Sequence, residues 1–123
     1  MTLRIAVPLE EPGFESKVSE HFGRARYVAI FMVSGSKLSG AELVELPETH
    51  EPGDLPALLR EKGADVVLAY GIGRKAIAHF EALGIRVVAG VRGRAVDVVK
   101  EFLQGTIATD PNWGERIVRE HKT

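Results

Sequence analysis

The sequence predicts an α/β domain in which helices cover both faces of one sheet. Short runs of branched residues alternate with segments whose apolar residues recur at helical spacing, and glycines at 63, 84 and 105 follow those segments. The order is strand, hairpin, helix, strand, helix, strand, helix, and a crossover through a helix brings the next strand in parallel. A chain of 123 residues without an internal repeat is expected to form one three-layer α/β/α domain.

The first part of the chain predicts a strand followed by a hairpin. Residues 3–8 are short, branched and apolar, so we expect a buried strand that ends near Pro8. Residues 27–33 predict a second strand, and the turn at 34–37 leads to a third strand over 38–46. This spacing is typical of a hairpin, so the second and third strands are expected to be antiparallel.

The second part of the chain alternates helix and strand. Continuous apolar character at 65–70 favours a strand that is covered on both faces. The predicted elements are a helix that Asp54 caps and Gly63 ends, a strand over 65–70, a helix over 74–83, a strand over 85–89 and a helix that ends at Gly105.

Composition narrows the function classes. The sequence has no cysteine, which excludes disulfides, thiolate nucleophiles and the thiolates that usually hold iron–sulfur clusters. The formal net charge is −1 with acids and bases interspersed, so neither nucleic acid nor a membrane surface is an expected partner. Without a leader-like or membrane-spanning pattern, we expect a cytoplasmic protein.

Residues 19–25 form the most informative stretch. His21 brings a common metal ligand, Gly23 lets the backbone bend, and Arg24 can donate a fork of hydrogen bonds to an anion. This run lies in the loop between the first and second strands. It predicts a binding loop, with a histidine that merely packs in a turn as the alternative.

Two further loops repeat a pattern of glycine with basic residues. Residues 71–75 follow the fourth strand and include Gly71, Gly73 and Arg74, and residues 90–94 follow the fifth strand and include Gly90 and Arg92. Ligands of open α/β sheets bind beyond the carboxyl ends of the parallel strands, and helix N-termini favour negative charge. All three loops are therefore expected to share one anion-binding rim. Taken singly, each basic residue also fits a solvated helix start.

Nucleotide binding and catalysis are disfavoured. Residues 71–76 match a Gly-x-Gly-x-x-Ala fingerprint, but the pattern does not follow the first strand and no acidic residue stands about 20 positions later. The predicted first strand carries no acid for a two-metal nuclease, and no serine lies in a Gly-x-Ser-x-Gly turn. We therefore expect a binding protein rather than an enzyme, with no nucleotide cofactor.

The assembled pattern resembles the dinitrogenase iron-molybdenum cofactor biosynthesis family, which includes nitrogenase accessory factors. The resemblance rests on residues 5–8, on His21 to Ala25, on residues 63–67 leading to Gly71-Ile72-Gly73, and on Gly84-Ile85. It implies a ribonuclease H-like fold, with a five-stranded mixed sheet whose second strand is antiparallel to the others. It places the family domain at 1–105 and leaves 106–123 as a C-terminal extension, expected to contain a short helix.

The resemblance also implies a function. A member of this family is expected to bind an iron–sulfur or iron–molybdenum cluster transiently and to exchange it with donor and acceptor proteins of cofactor assembly. The family's histidine corresponds to His21, the candidate metal ligand, and His50 is a possible second ligand. The alternative is a regulatory or adaptor module that binds a small anion or a protein partner at the same rim.

Overall fold

Five strands form one mixed sheet in the computed structural model, which describes residues 2–48, 51 and 53–114. The elements in chain order are β1 (Thr2–Leu9), β2 (Tyr27–Ser34), β3 (Lys37–Glu45), α1 (Asp54–Glu61), β4 (Val66–Leu68), α2 (Arg74–Ala82), β5 (Arg86–Val88) and α3 (Ala95–Gln104). The strands lie side by side in the order β3-β2-β1-β4-β5.

The directions of the strands confirm the predicted α/β fold class. β2 pairs antiparallel with β1, from Thr2 opposite Ser34 to Leu9 opposite Tyr27, and β3 pairs antiparallel with β2. β4 is parallel to both β1 and β5. Only β2 therefore runs against the other four strands, which is the mixed sheet that the family resemblance implied.

Side-chain alternation along β1 divides the core into two halves. Ala6 contributes to the cluster on the side of α1 and α2, which contains Leu59 and Phe80. Val7 contributes to the other cluster, which contains Val99 of α3. All of these residues are buried. Successive strand residues point to opposite faces, so a buried strand with two covered faces is apolar at nearly every position.

Glycine ends the predicted helices by taking a left-handed backbone conformation. Gly63, Gly84 and Gly105 have φ angles of +80°, +77° and +74°, which side-chain-bearing residues rarely adopt.

The start of α1 differs from the prediction. Gly53 is the N-cap, and Asp54 is already helical; its carboxylate accepts a hydrogen bond of 2.8 Å from the amide of Glu51 instead of capping the helix.

The described part of the C-terminal extension folds back onto the domain. Thr109 forms an antiparallel bridge with Val91, and Trp113 packs against both halves of the core. The helix predicted to end near His121 falls mostly on residues 115–123, outside the described residues. None of the helices in the described part of the chain is long and apolar enough to span a bilayer.

Candidate functional site

One edge of the sheet carries all the loops in which the sequence predicted a site. The parallel strands β1, β4 and β5 end there, and the loop after β1 turns back across this edge before β2 begins. That loop is tied to β1 by a bridge between Val18 and Leu9 and by a hydrogen bond of 2.8 Å from the Ser19 amide to the Pro8 carbonyl. The segment preceding His21 is therefore held against the sheet.

His21 reaches the rim through a backbone bridge to the next strand's loop. His21 and Gly71 form a parallel bridge: the Phe22 amide donates to the Gly71 carbonyl at 2.8 Å, and the Gly71 amide donates to the Glu20 carbonyl at 3.1 Å. His21 is half-buried. These bonds extend the order of the sheet beyond β1 and β4 and fix His21 beside the glycine turn.

Phe22 anchors the short 3₁₀ turn that presents the neighbouring residues. Its side chain is 2% exposed, and its ring meets Phe80 of α2 edge-on at a centroid distance of 5.5 Å. Gly23 and Arg24 complete the turn and are exposed. A buried aromatic residue beside an exposed glycine and arginine makes the turn rigid on one side and accessible on the other.

A small groove of about 240 Å³ lies between the two loops. Its lining residues are His21, Phe22, Gly23, Arg24, Gly71, Ile72 and Gly73. The structure thus brings five of the predicted site residues around one opening, because the His21–Gly71 bridge joins segments that are 50 positions apart in the sequence.

The N-terminus of α2 borders this groove. Gly73 is the N-cap residue with extended backbone angles, φ −66° and ψ 151°, and as a glycine it makes no side-chain capping bond. Arg74 is the first helical residue and is exposed. First-turn amides and the helix dipole favour an anion at this position, and the Arg74 guanidinium adds a positive charge.

Gly90 follows β5 as predicted, but the C-terminal extension covers it. It is buried, its amide donates to the Tyr70 carbonyl at 2.9 Å, and its carbonyl accepts from the Asp110 amide at 2.8 Å. An added Cβ would lie 2.5 Å from the Asp110 carbonyl oxygen. Because Gly90 has no side chain, the C-terminal extension can pack closely against it. Its amide is not presented to a ligand at the rim.

Arg92 lines a second pocket, of about 370 Å³. The residues that line it are Glu10, Lys17, Val18, Glu20, Tyr70, Arg92 and Gly93. The Arg92 guanidinium lies 4.5 Å from the centroid of the Tyr70 ring and donates through Nη2 to the Tyr70 hydroxyl at 3.1 Å. The predicted rim is therefore divided into a His21 groove and an Arg92 pocket.

Tyr70 and Asp110 were missed by the sequence reasoning. The Tyr70 hydroxyl donates to Asp110 Oδ2 at 2.9 Å, and burial, followed by this hydrogen bond, raises the pKa of Tyr70 above 10.0. The available signal was a tyrosine at the end of an apolar strand, because a buried hydroxyl needs a polar partner. The sequence gives no indication that the partner comes from the C-terminal extension.

The start of α3 is occupied by its own chain. The Ala95 amide donates to the Ser16 carbonyl at 2.9 Å, and the Arg94 guanidinium pairs with Glu15 at 2.8 Å and with Asp97 at 3.0 Å. The start of α3 is therefore less open to an anion than the sequence predicted, and the prediction for the start of α2 remains a prediction.

Of the other three histidines, only His79 lies among the described residues. His50 lies outside the described residues, and His79 is exposed on α2. Among residues 2–48, 51 and 53–114, no group of three His, Asp or Glu side chains is arranged to hold a metal ion. Within the described groove, His21 is thus the one imidazole that can bond to a metal.

The fold agrees with a comparison of the chain against known families. The model of the family described as "dinitrogenase iron-molybdenum cofactor" matches residues 1–105. The chain belongs to this family. The match ends where α3 ends, so residues Thr109 to Trp113, which cover Gly90, lie beyond it.

Similar proteins include one of known sequence and two of known structure. MJ0580, an uncharacterized protein of Methanocaldococcus jannaschii, is 27% identical over 109 residues, covering 85% of this chain and 89% of its own. The crystal structure of PH0822 is 46% identical with a TM-score of 0.85, covering 90% of this chain and 99% of the other. The apo form of the orange protein of Desulfovibrio gigas is 31% identical with a TM-score of 0.72, covering 88% of this chain and 92% of the other. Family membership relates the chain to the iron-molybdenum cofactor.

Proposed function

We propose that this protein is a non-enzymatic carrier that binds an anionic iron–sulfur or iron–molybdenum cofactor precursor transiently, with His21 as its metal ligand. The observation that carries the proposal is the His21–Gly71 bridge, which sets an imidazole and the N-terminus of α2 beside one groove. The His21 imidazole, as a metal ligand, and the N-terminus of α2, as an anion-binding group, would then contact the same cargo. Family membership supports the choice of cargo.

The chemistry of the groove favours weak, reversible binding. Stable iron–sulfur clusters usually require several thiolates, and this sequence contains no cysteine. His21 supplies one bond to a metal, while Arg24 and Arg74 supply positive charge and the first-turn amides of α2 supply hydrogen-bond donors. A cluster that bears sulfides and a net negative charge would be held mainly by electrostatics and released to a partner with more ligands.

An open groove suits transfer between proteins. Gly23, Arg24, Gly73 and Arg74 are all exposed, so a bound cluster would remain accessible to another protein. Cofactor assembly involves several proteins, and the proposed partners are a donor that supplies the precursor and an acceptor that receives it. The carrier needs no catalytic group for this exchange.

Anaerobic reconstitution tests the proposal. The purified protein is incubated with iron and sulfide, desalted, and examined by metal analysis and visible absorption. The wild type is expected to retain iron, and His21→Ala to lose most of it while keeping the wild-type circular dichroism spectrum, because the variant removes the single proposed metal bond. His79→Ala is the matched control, since His79 is exposed on α2 away from the groove, and should retain iron as the wild type does.

Two outcomes would contradict the proposal. Absence of iron from the desalted wild type would exclude the carriage of such a cluster by the isolated protein, and equal loss in His21→Ala and His79→Ala would exclude His21 as the ligand. The alternative adaptor function at the same rim would then be tested by capture of a partner with wild type and His21→Ala, which an adaptor with a structural histidine should bind equally.

A further inference from the structure

The Tyr70 hydroxyl joins two segments that are remote in the sequence. Tyr70 is 3% exposed, and its hydroxyl donates to Asp110 Oδ2 at 2.9 Å while it accepts from Arg92 Nη2 at 3.1 Å. A buried hydroxyl with both a donor and an acceptor partner has a defined orientation. This group therefore connects the C-terminal extension to the loop between β5 and α3.

Asp110 is itself held firmly by the extension. Its amide donates to the Gly90 carbonyl at 2.8 Å, and its Oδ1 accepts from the Asn112 amide at 2.9 Å. Trp113, whose amide donates to the Asp110 carbonyl at 3.3 Å, packs into both halves of the core. The carboxylate thus has a fixed position, and it lies outside the region that the family model matches.

Arg92 gains its orientation from this arrangement. Its guanidinium is held by the Tyr70 ring at 4.5 Å from the centroid and by the bond to the Tyr70 hydroxyl, although the residue as a whole is exposed. An exposed arginine ordinarily loses much side-chain entropy when it binds an anion. A guanidinium that is already ordered loses less, and the bond to Tyr70 uses one of its several N–H groups.

Adjacent residues line the Arg92 pocket and the His21 groove, which lie against different halves of the core. Glu20 and Tyr70 line the pocket, and the residues that follow them, His21 and Gly71, line the groove. The Gly71 amide donates to the Glu20 carbonyl, so the two openings are fixed relative to each other. A ligand that contacts both His21 and Arg92 must therefore lie across the rim at the His21–Gly71 bridge.

We infer that Tyr70 and Asp110 are positioning residues that hold Arg92 as an ordered anion-binding group for the same cargo that His21 ligates. This inference rests on the proposed carrier function and adds to it a contribution from the C-terminal extension. Arg92 contacts the anion, Tyr70 orients Arg92, and Asp110 orients Tyr70.

The test measures the order of Arg92 and the release of the cluster separately. Tyr70→Phe keeps the ring that stacks on Arg92 and removes the hydroxyl, and Asp110→Ala removes the other end of the link. Tyr27→Phe is the matched control, because Tyr27 is half-buried at the start of β2. Nitrogen-15 relaxation of the Arg92 Nε–H group, assigned by its loss in Arg92→Ala, reports order in the absence of ligand. Iron retained over time in salt after iron–sulfide reconstitution reports release.

We expect the Arg92 Nε–H group to be ordered in wild type and in Tyr27→Phe and mobile in Tyr70→Phe and Asp110→Ala. Cluster release should be roughly tenfold faster in Arg92→Ala and roughly threefold faster in Tyr70→Phe, because one charge-assisted contact is lost in the first and only loosened in the second. Tyr70→Phe should add nothing in the Arg92→Ala background, since residues that act through one contact are not additive.

The failure of the inference is distinguishable from failure of the carrier function. Unchanged Arg92 order in Tyr70→Phe and Asp110→Ala overturns the positioning role whatever the binding result. Two release results would also overturn the positioning role, provided that His21→Ala still loses iron. The first is cluster release from Tyr70→Phe at the wild-type rate. The second is an equal effect of Tyr70→Phe on release in the presence and in the absence of Arg92. If the wild type retains no iron, the carrier function fails, and the inference fails with it.

Discussion

The two glycine-basic turns have similar sequences and different surroundings. The turn at residues 71–75 borders the His21 groove, and its N-cap residue, Gly73, is exposed at the start of α2. The turn at residues 90–94 is covered by its own chain: Gly90 lies against Asp110, and Arg94 pairs with Glu15 and Asp97. One turn is open to a ligand, and the other is largely closed by intramolecular contacts.

The difference shows that a local pattern does not decide whether a helix N-terminus binds a ligand. At α3, the Ser16 carbonyl already accepts a hydrogen bond from the Ala95 amide, so part of the favourable interaction is satisfied within the fold. Neither helix has a side-chain capping bond at its N-cap residue, so among the described residues the Ser16 contact is what distinguishes α3 from α2. The contrast favours α2 for the proposed anion site and makes Arg92 the residue of the second turn for which we propose a contact with the ligand.

Substitution of Gly90 and of Gly73 by alanine gives the largest expected difference, which is in the free energy of unfolding. Gly90→Ala places a side chain on a backbone with φ +78° and its Cβ 2.5 Å from the Asp110 carbonyl oxygen, so the extension must shift. We expect a loss of roughly 3 kcal/mol in the free energy of unfolding, measured by urea titration. Gly73→Ala is the control, because φ is −66° and nothing lies within 4 Å of the added Cβ. It should cost less than about 1 kcal/mol. Equal losses would contradict the contrast between the turns.

Removal of one arginine from each turn sharpens the contrast in function. Arg74 is exposed at the start of α2, beside the groove, whereas Arg94 is engaged by two carboxylates. After iron–sulfide reconstitution, Arg74→Ala should retain about fivefold less iron than wild type, because a charge near the cargo is lost. Arg94→Ala should retain the wild-type amount. The reverse order would assign the cargo to the second turn.

Alkaline pH tests the hydrogen bond between Tyr70 and Asp110, which lies beside the turn at residues 90–94. Burial and the hydrogen bond to Asp110 raise the pKa of Tyr70 above 10.0 in the folded protein, so the fold favours the protonated phenol. Its contribution to stability is complete below pH 10 and is lost as the pH rises through the folded pKa. In urea titrations at about pH 8 and above pH 10, the stability difference between wild type and Tyr70→Phe should therefore shrink with rising pH. A constant difference would contradict a buried, bonded phenol.

Local patterns predicted much of the fold. Helix-ending glycines at 63, 84 and 105 were found because a left-handed backbone is required there. The continuous apolar run that contains β4 identified a central strand because both faces of the sheet are covered. The start of α1 was misassigned, because an aspartate can accept a backbone hydrogen bond either as a cap or from within the first turn, as Asp54 does with Glu51.

The predicted site residues lie together where they share a strand end and are separated where a remote segment intervenes. His21 and Gly71 were expected on one rim because β1 and β4 are parallel and end at one edge. The burial of Gly90 was not predicted, because it depends on Asp110, which is 20 positions away and beyond the family domain. Residue type and spacing contain no information about which segment will cover a turn.

The sequence by itself determined the class of fold, the family and the histidine, glycine and arginine residues of the rim, because periodicity and local conformational preference act over a few residues. The tertiary structure decided which of those residues share a groove, and it added Tyr70 and Asp110 to Arg92. The physical reason is that burial and hydrogen-bond satisfaction depend on long-range packing. An amide or guanidinium can bind a ligand at the rim only through those N–H groups that contacts within the fold have not already used.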